Sequence, residues 1–200
     1  MLNITLADYR VGNLHSLKKA LEMCGAKVEV VTDMSKLLDA ECIAFPGVGA
    51  FDMTMDGLIP YKDEICARLE TGTPGLGICI GTQILMEDSK EGTKPGLGFI
   101  KGHVEKVPAR QVPQMGWNSV ETFDPLMDGI ESRYFYFANS YYCCPTEKYT
   151  VKGTTEYEGT VIPTLFRKMN FVGTQFHPEK SSTSGLRFLS NFVKFAEGCL

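Results

Sequence analysis

Short apolar runs bounded by turn residues alternate with segments of helical period through the first half of the chain. Asn3–Ala7 reads as a strand, followed by the turn-rich Asp8-Tyr9-Arg10-Val11-Gly12-Asn13. Leu14, Leu17 and Leu21 then fall at helical spacing, with Asn13 as a candidate N-cap and Gly25 as a candidate stop. Lys27–Val31 and Cys42–Phe45 predict two more strands, the second ended by Pro46-Gly47-Val48-Gly49. A helix is predicted over residues 61–70, closed near Gly72. Gly75–Ile78 reads as a short interior strand, with Ile80, Ile84 and Leu85 at helical spacing directly after it. This alternation is the signature of an α/β fold with a mainly parallel central sheet flanked by helices. In such sheets function gathers at the carboxyl ends of the strands. The turn after Ala7, the loop after Phe45 and Cys79 should therefore open on one edge.

The second half changes character. Residues 99–107, 119–123, 133–142, 149–157, 161–168 and 171–176 read as successive strands, several in hairpins, which predicts a strand-rich antiparallel extension. Leu186, Leu189, Phe192, Val193 and Phe195 make an amphipathic closing helix. No linker-like, repeated or low-complexity stretch divides the 200 residues, so one domain spanning 1–200 is expected.

Composition narrows the function classes. A net charge of -4, dispersed along the chain, gives no footprint for nucleic acid or a membrane surface. The N-terminal residues lack a basic leader and no run is long enough to span a bilayer, so a cytoplasmic protein is expected. The seven cysteines, an odd number without C-x-x-C spacing, read as reduced thiols. Adjacent Cys143 and Cys144 should point to opposite faces of a strand, which disfavours a metal site there. No metal and no cofactor is expected.

Among those thiols, only Cys79 has a setting suited to chemistry. In Gly77-Ile78-Cys79-Ile80-Gly81 it stands where a strand turns into a helix, the logic of a nucleophile elbow. The start of the following helix would favour thiolate over thiol. The pentapeptide alone fits a buried core cysteine equally well. A thiolate attacking an amide needs a proton carrier held by an acid. His15, in the first helix, and His103, in a charge-rich strand, read as structural or surface histidines. His177 differs: in Phe176-His177-Pro178-Glu179 the proline biases its predecessor towards extended geometry, so His177 and Glu179 should project to one side. Glu179 would then fix the imidazole tautomer. The alternative is a capped helix start with both side chains exposed. Gly47, Val48 and Gly49 offer backbone N–H groups for an oxyanion. A nucleotide loop is the rival there, but the third glycine of a dinucleotide fingerprint and the lysine of a P-loop are both missing.

An elbow cysteine, a glycine-rich strand end and His-Pro-Glu, in this order, resemble class I (triad-type) glutamine amidotransferases, whose fold is flavodoxin-like. The resemblance covers essentially the whole chain. Its most specific parts are Gly77-Ile78-Cys79-Ile80-Gly81-Thr82-Gln83 and Gln175-Phe176-His177-Pro178-Glu179-Lys180-Ser181. Asp8-Tyr9-Arg10-Val11-Gly12-Asn13-Leu14, Pro46-Gly47-Val48-Gly49, Met115-Gly116-Trp117-Asn118 and Tyr136-Phe137-Ala138-Asn139-Ser140-Tyr141-Tyr142 are similar to the glutaminase subunits of imidazole glycerol phosphate synthases. The resemblance implies a Cys79-His177-Glu179 triad that hydrolyses L-glutamine. It also implies oxyanion donors at Gly47, Val48, Gly49 and Ile80, and glutamine-holding positions at Gln83, Glu91, Ser140 and Tyr141. The implied partner is a (β/α)8-barrel cyclase subunit forming a heterodimer, with Met115, Trp117 and Tyr136 either on the docking face or packed in the core. The chain departs from the family pattern at Arg10, commonly Gly, and at Gln114 and Asn139, often His. A relative feeding another acceptor, a thiol stress-response protein, and a non-catalytic scaffold that keeps the fold with Cys79 idle are the competing readings.

Overall fold

The computed structural model describes residues 1–10 and 14–200. Along the chain run β1 (Asn3–Ala7), α1 (His15–Met23), β2 (Lys27–Val31), β3 (Cys42–Phe45), α2 (Phe51–Leu58), α3 (Lys62–Glu70), β4 (Gly75–Ile78) and the single turn α4 (Ile80–Gln83). Then follow β5 (Asp88–Ser89), β6 (Gly102–Lys106), β7 (Gln114–Ser119), β8 (Glu121–Thr122), β9 (Tyr134–Asn139), β10 (Tyr141–Pro145), β11 (Val151–Tyr157), β12 (Thr160–Lys168), β13 (Phe171–Thr174) and α5 (Ser182–Glu197). An eight-stranded sheet has the order β2-β1-β3-β4-β13-β12-β11-β8. Its first five strands are parallel and its last three antiparallel. The expected parallel core with an antiparallel extension is therefore present. β10, β6 and β5 form a second small sheet, and β7 pairs with β9 as a ribbon.

Strand alternation divides the core. Cys42 and Ala44 face the side covered by α1 and α5, whereas Ile43 and Phe45 face the side covered by α2, α3 and α4. Phe176 sits among Phe135, Phe137 and Phe188, with edge or tilted ring contacts at 4.4–6.1 Å. Burying an aromatic ring of this kind contributes about 1.5–3 kcal/mol, so this cluster anchors the segment leading to His177.

Several boundaries depart from the sequence pattern. Ile84 and Leu85 lie in turns after the one-turn α4, and both are fully buried; their apolar spacing reflects burial rather than a longer helix. The strand predicted over 133–142 breaks at Ser140, whose carbonyl accepts from the Val107 N–H, as the chain passes from β7 to β6. The strand predicted over 99–107 shortens to β6, and that over 119–123 divides between the end of β7 and the two-residue β8. α2 was not predicted. The candidate cap Asn13 lies outside the described residues, whereas Gly25 does end α1, at φ 92°. Cys143 is buried and Cys144 half-buried, consistent with opposite faces of β10.

Candidate active site

Cys79 occupies the single residue between β4 and α4, at φ 50° and ψ -111°. This conformation is rare for a residue with a side chain and turns the chain sharply from strand to helix. Hydrogen bonds hold the kink on both sides. The Cys79 N–H donates to the Thr174 carbonyl at 2.7 Å, and the Cys79 carbonyl accepts from the Thr82 and Gln83 N–H groups. The flanking glycines provide room rather than strain: a Cβ on Gly81 would lie 2.1 Å from the Phe45 carbonyl oxygen, and one on Gly77 would lie 2.6 Å from the Gly81 oxygen. Only glycine lets α4 pack this tightly against β3 and β4.

β13 runs parallel to β4 with Thr174 opposite Ile78. Residues just beyond both strands therefore emerge on one edge, and His177 arrives beside Cys79. Its backbone N–H donates to the Tyr136 carbonyl at 2.8 Å, and its Nδ1 lies 2.8 Å from Glu179 Oε1. The sequence predicts an extended His-Pro-Glu segment; instead residues Pro178–Lys180 form a 3₁₀ turn. The turn folds Glu179 back onto the ring, because Pro178 at its first position needs no N–H partner. Both side chains are buried, at 3% and 8% exposure, which removes the exposed helix-start alternative.

Burial pushes the His177 imidazolium down, but a hydrogen bond with Cys79 and then one with Glu179 outweigh it and hold the group up at about 10. The ring lies over Gly47, where a Cβ would come within 2.8 Å of His177 Cε1. The loop after β3 thus forms one wall of the site, with Gly49 at φ 102°. Cys79 itself is only 8% exposed.

The remaining candidates arrange around this centre. Ile80 heads α4, and the first N–H groups of a helix lack intrahelical partners. Gln83 is 3% exposed and its Nε2 reaches the Tyr141 carbonyl at 2.9 Å, so Gln83 and Tyr141 are brought together. The Ser140 carbonyl is engaged by Val107. Glu91 comes from a loop clamped by Asp52, which accepts from the Thr93 and Lys94 N–H groups; Glu91 Oε2 accepts from the Phe51 N–H at the start of α2. Partial burial raises the Glu91 carboxyl. Gln114 and Asn139, directly opposite each other on β7 and β9, are both buried. Met115 and Trp117 project outward from β7 at 68% and 54% exposure, so they are surface residues rather than core; Tyr136 is half-buried, with its ring edge-on to Trp117. Arg10 adopts φ 61°, the region that favours glycine, which is the residue the family pattern commonly has there.

His103 pairs with the exposed Asp88, away from this centre. Two surface hollows of about 740 and 650 Å³ flank Phe123 near the far edge of the sheet and include none of the residues above. Sequence reasoning missed Gln175, whose Nε2 lies 3.4 Å from Cys79 Sγ. Its signal was present, since Gln175 stands two residues before His177 in the same motif. Tyr136 was named only for its ring; nothing in its side chain announces the carbonyl that holds the His177 backbone.

A thiol on a strained strand-to-helix turn, beside a buried His-Glu pair at the carboxyl edge of a mainly parallel sheet, defines an α/β thiol enzyme. The chain belongs to the class-I glutamine amidotransferase family, whose model matches residues 5–195. Among curated relatives, it is 41% identical to "Imidazole glycerol phosphate synthase subunit HisH 1" of Methanococcus maripaludis, over 96% of this chain and 98% of the relative. It is 45% identical to "Imidazole glycerol phosphate synthase subunit HisH" of Methanocaldococcus jannaschii, with the same coverage. The fold also matches a solved structure of PurLQS from Thermotoga maritima, with a TM-score of 0.76 and 19% identity over 97% of this chain and 98% of that one. No helix among the described residues is long and apolar enough to cross a membrane.

Proposed function

We propose that this chain is a cytoplasmic glutaminase subunit, folded as a single domain, that hydrolyses L-glutamine to L-glutamate and ammonia. The ammonia passes to a (β/α)8-barrel cyclase partner that makes imidazole glycerol phosphate and aminoimidazole carboxamide ribotide in histidine biosynthesis. The observation that carries the reading is Cys79 on its strained elbow beside His177, whose Nδ1 lies 2.8 Å from Glu179 Oε1. Identity of 41–45% with HisH subunits over nearly the full length supports the choice of acceptor pathway.

The sulfur attacks the side-chain amide carbon of glutamine, and the carbonyl oxygen becomes an oxyanion. Backbone N–H groups at Gly47, Val48 and Gly49 and at Ile80 receive that charge. His177 gives its proton to the amide nitrogen, ammonia leaves, and a glutamyl thioester remains on Cys79. Water then adds to the thioester while His177 takes its proton, and collapse releases glutamate and restores the sulfur–imidazolium pair. Glu179 keeps one tautomer and orientation throughout. Gln83, Glu91, Ser140 and Tyr141 hold the amino and carboxylate ends of the substrate.

Ammonia in neutral water is mostly protonated and a poor nucleophile, so a sheltered handover to a bound cyclase is required. The exposed Met115 and Trp117, with Tyr136 beside them, suit a docking face, since aromatic residues and methionine are enriched at interface centres. In the reconstituted pair, Cys79→Ala should abolish glutamine-dependent cyclisation while ammonium salts still support it. Loss of both activities, or retention of both, would overturn the assignment.

A further inference from the structure

The reaction above leaves one buried group against the nucleophile unused. Gln175 is fully buried, and its amide nitrogen lies 3.4 Å from Cys79 Sγ. An amide can present either end to a neighbour, and the rest of the contact chain decides which. The Tyr141 carbonyl can only accept, so the end of Gln83 lying 2.9 Å from it is the NH2 group. That same nitrogen lies 3.2 Å from the other end of Gln175, which must therefore be the carbonyl oxygen. A backbone carbonyl thus fixes Gln83, Gln83 fixes Gln175, and the NH2 of Gln175 is left facing sulfur. Gln175 stands directly after β13 and two residues before His177, so both side chains reach Cys79 from the same strand end.

We propose that Gln175 is a further catalytic residue, its NH2 donating to Cys79 Sγ whenever the sulfur carries negative charge, with Gln83 as the positioning residue that keeps that end turned inward. The proposal rests on the reading of Cys79 as the nucleophile. Neutral sulfur is a weak acceptor, whereas a hydrogen bond to an ionised group is about twice as strong as a neutral one. The contact therefore strengthens before attack and again as glutamate leaves, and weakens in the thioester between. His177 and Gln175 divide the work: the imidazole moves protons, and the amide, which cannot titrate here, steadies charge.

The test uses the full chain with its cyclase partner and follows iodoacetamide alkylation of Cys79 against pH, read by peptide mass spectrometry so that the other six cysteines do not interfere. Gln175→Met removes the donor at similar volume. Gln175→Glu keeps an acceptor for Gln83 but turns a carboxylate to the sulfur. At pH 7 alkylation should slow about tenfold in Gln175→Met and further in Gln175→Glu. In alkaline solution the rate of Gln175→Met should rejoin that of the wild type. Glutaminase kcat should fall by a similar factor with KM changed less than about threefold. If buried Glu prevents folding, Gln175→Met and the convergence of its pH profile carry the test alone. Equal alkylation at pH 7, or slowing by one constant factor at every pH, would overturn the role of Gln175 and leave the nucleophile standing. Failure of diazo-oxo-norleucine to modify wild-type Cys79 in the complex would overturn both.

Discussion

Replacing Cys79 by Gly and, separately, by Ala divides what the side chain contributes from what the backbone costs. Both variants lose the sulfur and its contacts with His177 and Gln175, so the difference between them reports conformation alone. At φ 50° and ψ -111°, a residue with a Cβ stands outside the small left-handed well, where strain is of order 1–3 kcal/mol. Glycine escapes that strain but loses about 0.5–1 kcal/mol relative to alanine through the greater freedom of its unfolded chain. The balance is about 1 kcal/mol in favour of glycine, opposite in sign to the usual Ala-to-Gly change. For a chain of 200 residues this corresponds to a Tm about 2–4 °C higher for Cys79→Gly than for Cys79→Ala. Differential scanning calorimetry of the two variants, with urea unfolding as a second measure, reads it directly. An alanine variant as stable as the glycine one, or more stable, would refute the claim that the elbow is strained and held by its surroundings.

Two further substitutions probe the rest of the site. Gly47→Ala places a methyl 2.8 Å from His177 Cε1 and 2.9 Å from Ile78 Cγ2, so the ring must shift. Glutamine-dependent kcat should fall about 100-fold while ammonia-dependent cyclisation persists, and an unchanged kcat would contradict the placement of the ring on this loop. His177 is held up at about 10 against an ordinary 6.5, so its partners contribute full stability below pH 6.5 and lose that contribution as pH rises through about 10. Glu179→Gln should therefore be most destabilised relative to wild type below pH 6.5, with the gap narrowing towards pH 10. Thermal melts showing the same gap at both ends would argue that Glu179 does not support the imidazolium.

The parallel half of the sheet was legible because its strands are short, apolar-rich runs fenced by turn residues; β1, β2, β3 and β4 fall where that pattern places them. α2 escaped notice although Phe51, Met55 and Leu58 keep helical period, because it follows a glycine loop, contains Gly57 and places a polar Thr54 on its buried face. Residues 133–142 are predicted as one strand, yet the segment serves two partners, pairing with β7 up to Asn139 and with β6 from Tyr141. The triad residues were readable as motifs, each beside a strand end. What spacing alone did not supply was the company they keep: the contact of Gln175 with the sulfur exists because β13 lies beside β4, a neighbour relation spanning 96 residues of sequence. The fold of Glu179 back onto His177 was hidden for a different reason, since proline favours both an extended predecessor and the first position of a tight turn.

The bond from the His177 N–H to the Tyr136 carbonyl gives the β7–β9 ribbon a mechanical part to play. The next atom along that rung is the Tyr136 N–H, tied to Ser181, whose hydroxyl in turn grips the His177 carbonyl. The base is thus bolted at both its amide and its carbonyl to a strut whose outer side carries Met115 and Trp117. A load applied to that outer side is delivered to the imidazole mount without passing through the central sheet, and the tolerance on where the proton carrier sits is set as much by the ribbon as by the triad.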